Sequence, residues 1–114
     1  MKPIIVSQSA PTLESSRPLY ERVPTRDEHG QRLSDFMVLF PGLRNRPAHQ
    51  LAEILGRIQA VLGRYAEVVF AELNMRLNLL WISVRPRPGV ILEIAAAIKA
   101  MMPEALLVGE RCWS

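Results

Sequence analysis

The sequence predicts an α+β fold in which two strand–helix–strand units share one sheet. Within its 114 residues, the last two-thirds repeats one pattern: an apolar run, a basic turn with Pro and Gly, an amphipathic helix and another apolar run. A short turn at 74–76 joins the units, as in a split β-α-β, or ferredoxin-like, fold. We therefore expect an antiparallel βαββαβ sheet with both helices on one face. The units comprise 36–40, 42–47, 51–62 and 68–73, then 77–84, 85–89, 90–102 and 105–108.

The first predicted helix has the clearest periodicity. Its apolar residues recur at helical spacing on one stripe, while Glu53 and Arg57 lie off that stripe. Pro47 is tolerated in a first helical turn, and Gly63 follows the last periodic residue. Gly56 costs about 1 kcal/mol relative to Ala inside a helix, so we expect it to allow close approach to the sheet. The stripe consists of Leu51, Ile54, Leu55, Ile58, Val61 and Leu62.

The second predicted helix differs because its outer sector is poor in charge. The sector opposite the core stripe carries only two charged residues, so it is weakly protected against association. Pro103 ends this helix, since the residue before a proline is disfavoured in the α region. The sector consists of Leu92, Glu93, Ala96, Lys99 and Ala100.

The strand before the second helix is apolar on both faces. Because side chains alternate along a strand, Leu80, Ile82 and Val84 share one face. If these face the helices, Trp81 lies on the other face, which this fold leaves open. A second copy, an apolar ligand or the N-terminal segment would cover that face, and the sequence does not choose among them. The predicted ligand or interface residues are Trp81, Leu79, Ser83, Leu92 and Ala96.

Residues 1–34 differ from the rest and are interpreted as an extended or partly disordered arm preceding a ferredoxin-like domain at 35–114. Four of the nine prolines fall in this segment, and no helical or strand period is sustained there. Residues 4–6 have the pattern of a short edge strand. Residues 27–30 form a turn signal in which Gly30 can take a positive φ.

Basic turns precede both predicted helices. Arg44 and Arg46 lie before the first helix, and Arg85 and Arg87 before the second, where helix N-termini favour anions. We expect the two turns at opposite edges of the sheet, which gives two separate anion sites. The net charge of +3, with twelve of fourteen cations being Arg, also fits a compositional preference without a charged partner.

Binding of nucleic acid is the alternative that these arginines suggest. Phe40 and Trp81 lie on the strands that stack bases in RNA-binding members of this fold class. The third strand, however, lacks the Lys/Arg-Gly-aromatic signature, and its aliphatic character does not favour base stacking. The basic surface for this alternative would comprise Arg44, Arg46, Arg57 and Arg64.

Catalysis has little support in the sequence. His29 and His49 have no further His, Cys or carboxylate at metal-ligand spacing, and Cys112 has no nearby His. We expect no metal, no cofactor, no signal peptide and no membrane span, and we assign the chain to the cytoplasm. The sequence favours a small non-catalytic binding or regulatory module that forms a homodimer and binds a small molecule or protein. A ligand sensor, or an enzyme with its site between subunits, stays open.

Overall fold

Five β-strands and two α-helices follow one another in the computed structural model, which describes residues 4–7 and 32–111. Both predicted strand–helix–strand units are present, and the α+β class is confirmed. The strands are β1 (Ile5–Ser7), β2 (Ser34–Leu39), β3 (Val68–Asn74), β4 (Leu79–Val84) and β5 (Leu106–Arg111). The helices are α1 (Ala48–Leu62) and α2 (Val90–Met101), and a 3-10 turn spans Leu43–Asn45.

The sheet is mixed, with strand order β1-β3-β4-β2-β5, and is compatible with a ferredoxin-like fold. The pairs β2/β4, β2/β5 and β3/β4 are antiparallel, but β1 runs parallel to β3. The prediction of a wholly antiparallel sheet is therefore wrong at one edge. Parallel neighbours cannot be joined by a tight turn, and residues 8–67, which include β2 and α1, separate β1 from β3 in the sequence.

The N-terminal segment contributes this edge strand. The strand predicted at residues 4–6 is observed one residue later, and Ile4 packs against the hydrophobic core. Leu33 and Ser34, which the prediction assigned to the arm, are both buried at the start of β2. The turn predicted at 27–30 lies outside the described residues, as do residues 1–3, 8–26 and 31 of the arm.

The hydrophobic core lies between the two helices and one face of the sheet. Ile58 of α1 and Ile94 of α2 are fully buried in the same cluster as Ile82 of β4. Arg57, next to Ile58, is exposed, so α1 has the phase that its stripe predicted. On β4 the buried cluster contains Leu80, Ile82 and Val84, which places Trp81 on the face away from the helices.

The β3–β4 turn also holds the connection into α1. It spans four residues instead of the predicted three, and Asn74 remains in β3 with its Oδ1 accepting the Leu77 N–H at 3.1 Å. Asn78 adopts a left-handed φ of 55°, which Asn tolerates better than most residues. Its carbonyl accepts the Phe40 N–H at 2.8 Å, and its Oδ1 accepts the Arg44 N–H at 2.9 Å.

Two glycines illustrate different uses of a missing side chain. Gly89 caps α2 with a φ of 77°, a conformation that L side chains rarely adopt. Gly56 lies on the exposed side of α1, and a Cβ built on it would meet nothing within 4 Å. The predicted close approach of Gly56 to the sheet is therefore wrong.

Candidate functional site

The sheet face away from the helices is centred on Trp81. In register, Trp81 stands between Met37 of β2 and Glu72 of β3. Trp81 and Met37 are half-buried, while Glu72 and Ser83 are only 3% and 0% exposed. Leu79, also predicted as a site residue, is half-buried beside them. The centre of this face is thus largely shielded from solvent, and the exposed apolar surface lies elsewhere.

Two polar atoms on this face lack hydrogen-bond partners. Trp81 Nε1 and Ser83 Oγ are both buried, and neither has a partner within the described structure. The two residues are separated by one position on β4, so their side chains emerge on the same face. Leaving a buried donor or acceptor unpaired costs about 1–3 kcal/mol. Both atoms therefore have unused hydrogen-bonding capacity, although neither is accessible from solvent in the protomer.

A second apolar area lies where α2 passes over the edge strand β5. Of the seven large apolar side chains that are exposed within the described residues, Leu92 and Leu107 belong to this area. Leu92 is the more exposed of the two, at 65%. Leu106 pairs with Leu39, which in turn pairs with Leu79, so its side chain lies on the opposite face of the same edge. We call the area the α2–β5 surface and define it by Leu92, Ala95, Ala96, Lys99 and Leu107.

The α2–β5 surface contains an apolar cleft of about 240 Å³. Three of its seven lining residues have short side chains: Ala95 and Ala96 of α2, and Ala105 just before β5. Lys99 supplies the cationic side chain among the lining residues. The full lining consists of Val38, Leu92, Ala95, Ala96, Lys99, Ala105 and Leu107.

A β-bulge shapes the edge strand beside this cleft. Val38 pairs with Leu107, but Met37 pairs with Gly109, so Val108 is an extra residue on β5. Gly109 accommodates Met37, whose Cε would lie 3.1 Å from a Cβ at that position. The bulge bends β5 and leaves Val108 47% exposed next to Leu107.

The arginine before α2 is engaged by two carboxylates. Arg87 Nε contacts Glu67 Oε2 at 2.8 Å, and its Nη1 contacts Glu93 Oε2 at 3.2 Å. A backbone hydrogen bond and then the hydrogen bond from Arg87 lower the pKa of Glu67. The hydrogen bond to Glu67 raises the pKa of Arg87. Both charges of this contact thus persist at neutral pH, and Arg87 carries little uncompensated charge for an external anion.

The other arginines predicted to bind anions also make local contacts. Arg46 pairs with Glu104 at 2.9 Å, Arg44 Nη1 donates to the Arg76 carbonyl at 3.2 Å, and Arg85 Nη1 donates to the Ala66 carbonyl at 3.1 Å. Arg44 lies by the β3–β4 turn and Arg85 at the opposite end of β4, so the structure does not bring the two basic turns together. Anion binding at either turn stays a prediction.

Arginines of the predicted nucleic-acid-binding surface also make local contacts. Arg57 forms an ion pair with Glu53 one helical turn away on α1, and Arg64 is exposed just after the helix. Pairing with Glu53 lowers the net charge that Arg57 would present to a phosphate backbone. Arg46 and Arg57, two of the four predicted residues, are thus paired with carboxylates, and nucleic-acid binding stays a prediction.

The predicted interface residues divide between the two faces of the sheet. Trp81, Leu79 and Ser83 lie on the face away from the helices, whereas Leu92 and Ala96 lie on α2. They do not form one site. Leu107 and Val108 were not among the predicted site residues, because an apolar run predicts a strand without showing which of its sides is exposed. The strand order expected for the fold contained the signal, since it places the last strand at an edge.

Comparisons with known proteins found no matching family model, no similar curated protein and no similar solved structure. Within residues 4–7 and 32–111, no three His, Cys, Asp or Glu side chains are grouped so that they could hold a metal ion. In the same part of the chain, neither helix combines the length and the apolar character needed to cross a bilayer. His49 is exposed at the start of α1, while His29 and Cys112 lie outside the described residues.

Proposed function

We propose that this chain is a small non-catalytic binding module of ferredoxin-like architecture that acts as a homodimer through the α2–β5 surface. The order β3-β4-β2-β5 of the four strands in the two repeated units supports the fold assignment. The observation that carries the function is that Leu92 and Leu107 are exposed together on the α2–β5 surface, next to an edge strand that also exposes Leu106 and Val108. Contiguous exposed apolar side chains of this kind are typical of protein interaction sites.

The composition of the surface favours a protein partner over a small solute. Its cleft is only partly enclosed, and Lys99 is the one charged side chain in the lining that could orient a ligand. Ligand pockets normally enclose most of the ligand and carry several converging polar groups. An edge strand, in contrast, offers unpaired backbone groups that another chain can pair with. Apolar side chains next to such an edge add buried area to that contact.

Sedimentation equilibrium of the native chain and of two matched variants tests this proposal. We expect the native chain to be dimeric at micromolar concentration and Leu107→Lys to be a folded monomer. Leu77→Lys is the control, because Leu77 is exposed to a similar degree, 43% against 40%, but lies in the β3–β4 turn. A native monomer, or equal dissociation of both variants, would contradict the proposal.

A ligand or partner site on the sheet face around Trp81 is the second candidate. It is favoured by the unpartnered Trp81 Nε1 and Ser83 Oγ. Sedimentation and circular dichroism of Trp81→Ala at one concentration separate the roles. A folded monomer would assign Trp81 to the dimer interface, a folded dimer would leave it a ligand role, and an unfolded chain would make it a core residue. Shifts of tryptophan fluorescence with metabolites would identify a ligand.

A further inference from the structure

We infer that the two copies are related by a two-fold axis that passes beside Ala95 and Ala96 and joins the two sheets edge to edge at β5. The inference rests on the proposed function, because it assumes that the α2–β5 surface is the contact. A two-fold axis perpendicular to the sheet makes the neighbouring β5 strands antiparallel. It also keeps all four helices on one face of the combined sheet. The edge strand and the helix are then covered by the same partner.

The spacing of the elements is what identifies a second copy as the partner. α2 packs over both β2 and β5, since Val38 and Leu107 line the cleft beneath it. Neighbouring strands lie about 4.8 Å apart, so α2 sits about half a strand spacing inside the edge. Continuing the sheet with a second β5 places the two α2 axes about 10 Å apart. Packed helices lie about 8–10 Å apart, so strand pairing and helix packing are satisfied together.

The sequence of α2 is complementary to itself in this arrangement. Antiparallel helices centred between Ala95 and Ala96 contact each other through these two short side chains, which permits close approach. Leu92 of one copy is level with Lys99 of the second copy, whose methylene groups can cover it. Leu92 and Lys99 are therefore matched twice by the two-fold symmetry.

The bulge in β5 defines how much of the edge can pair. Bulges disturb the hydrogen-bonding pattern of a strand and are one way in which edge strands limit pairing. Because the extra residue is Val108, regular pairing is confined to a short stretch next to it. The side chains of Leu92 and Leu107 then account for most of the contact between the two copies. The strength of that contact therefore depends on how well these side chains fit together and on the register of the two β5 strands.

Disulfide cross-linking of a single introduced cysteine tests the axis. We would place Ala96→Cys in the full chain with Cys112→Ser, so that each protomer carries one thiol. A residue next to the axis meets its own copy, and a disulfide needs Cβ atoms about 3.5–4.5 Å apart. We expect rapid formation of a covalent dimer under mild oxidation. Ala52→Cys in the same background is the control, because Ala52 is an exposed alanine on α1.

The outcomes distinguish the axis from the proposed dimer itself. If the chain sediments as a dimer but Ala96→Cys cross-links no faster than Ala52→Cys, the axis is wrong and the proposed function stands. If the chain sediments as a monomer, both are wrong. Leu92→Lys and Leu92→Glu test the register independently, because they place an ammonium or a carboxylate level with Lys99 of the second copy. Leu92→Lys should weaken association more than Leu92→Glu, and the difference should shrink in high salt; equal effects would contradict the register.

Discussion

Replacing Leu92 with alanine should separate association from folding. Leu92 lies on the outer sector of α2 and is 65% exposed in the protomer, so it adds little to the core. Alanine is at least as good a helix former as leucine. The free energy of unfolding of the protomer should therefore change by less than about 0.5 kcal/mol. Any larger effect must come from the contact between copies.

The expected weakening of the dimer follows from the area that Leu92 loses to solvent. Leu92→Ala removes three carbon atoms, which contribute about 0.8 kcal/mol each when fully buried. Since about two-thirds of the side chain is exposed in the protomer, association would bury that part in each of two copies. The loss per dimer is about 3 kcal/mol, and every 1.4 kcal/mol corresponds to a factor of ten in Kd. The Kd should rise roughly 150-fold.

Sedimentation equilibrium over a range of concentrations measures this change. The Leu77→Ala variant is the control, because Leu77 is exposed in the β3–β4 turn and outside the α2–β5 surface. Its Kd should equal that of the native chain. If Leu92→Ala changes the Kd no more than Leu77→Ala does, Leu92 is not at the interface. Thermal unfolding of both variants at low concentration would show that the protomers remain folded.

Three further predictions concern stability. Ile58→Ala should lower the free energy of unfolding in urea by about 2–5 kcal/mol, because Ile58 is fully buried in the core. Arg57→Ala on the exposed side should change it by less than about 0.5 kcal/mol, and similar losses would show that the helix phase is wrong. Gly56→Ala should raise the free energy of unfolding by about 1 kcal/mol, and with it the midpoint of thermal unfolding, because the added Cβ meets no other atom. A lower midpoint would mean that Gly56 has a conformational role. Because the pKa of Glu67 is lowered by its backbone hydrogen bond and by Arg87, its stabilising contribution is complete above the ordinary carboxyl pKa. That contribution is lost as the pH falls through the lowered pKa. Glu67→Gln removes the titrating carboxyl, so the urea midpoint of the variant should depend less on pH in the acid range. A pH profile equal to that of the native chain would contradict the role of Glu67.

Local periodicity explains which parts of the fold were predictable. The stripe that includes Ile58 and the alternation around Trp81 depend on 3.6- and 2-residue periods, which are written in neighbouring residues. The parallel pairing of β1 with β3 depends on contacts between distant parts of the chain, so its direction was not predicted. Gly56 was misread because a glycine in a helix has the same sequence signature whether it faces a sheet or solvent.

Exposure of the candidate surface was harder to predict than the strand that carries it. An apolar run such as 105–108 predicts a strand, but it does not show which of its sides has a neighbour. Leu107 and Val108 are exposed because β5 is the last strand in the sheet order. For α2 the weak charge of the outer sector could be predicted from the sequence, since Leu92 and Ala96 occupy positions where an exposed helix usually carries charged residues. The alternation along β4 predicted that Trp81 lies on the face opposite Leu80, Ile82 and Val84, but not that its neighbours Glu72 and Ser83 are buried.

The short strand β1 gives the two edges of the sheet different capacities for assembly. It covers β3 with only three residues, Ile5–Ser7, and very short edge strands are poor templates for further pairing. The β5 edge has six residues and exposes Leu106, Leu107 and Val108, so it offers apolar contact area even though the bulge at Val108 shortens its regular pairing. A protein with one competent edge can join only one partner through it, and a symmetric contact uses that edge on both molecules. Association should therefore stop at two chains instead of growing into a fibre, even at high protein concentration.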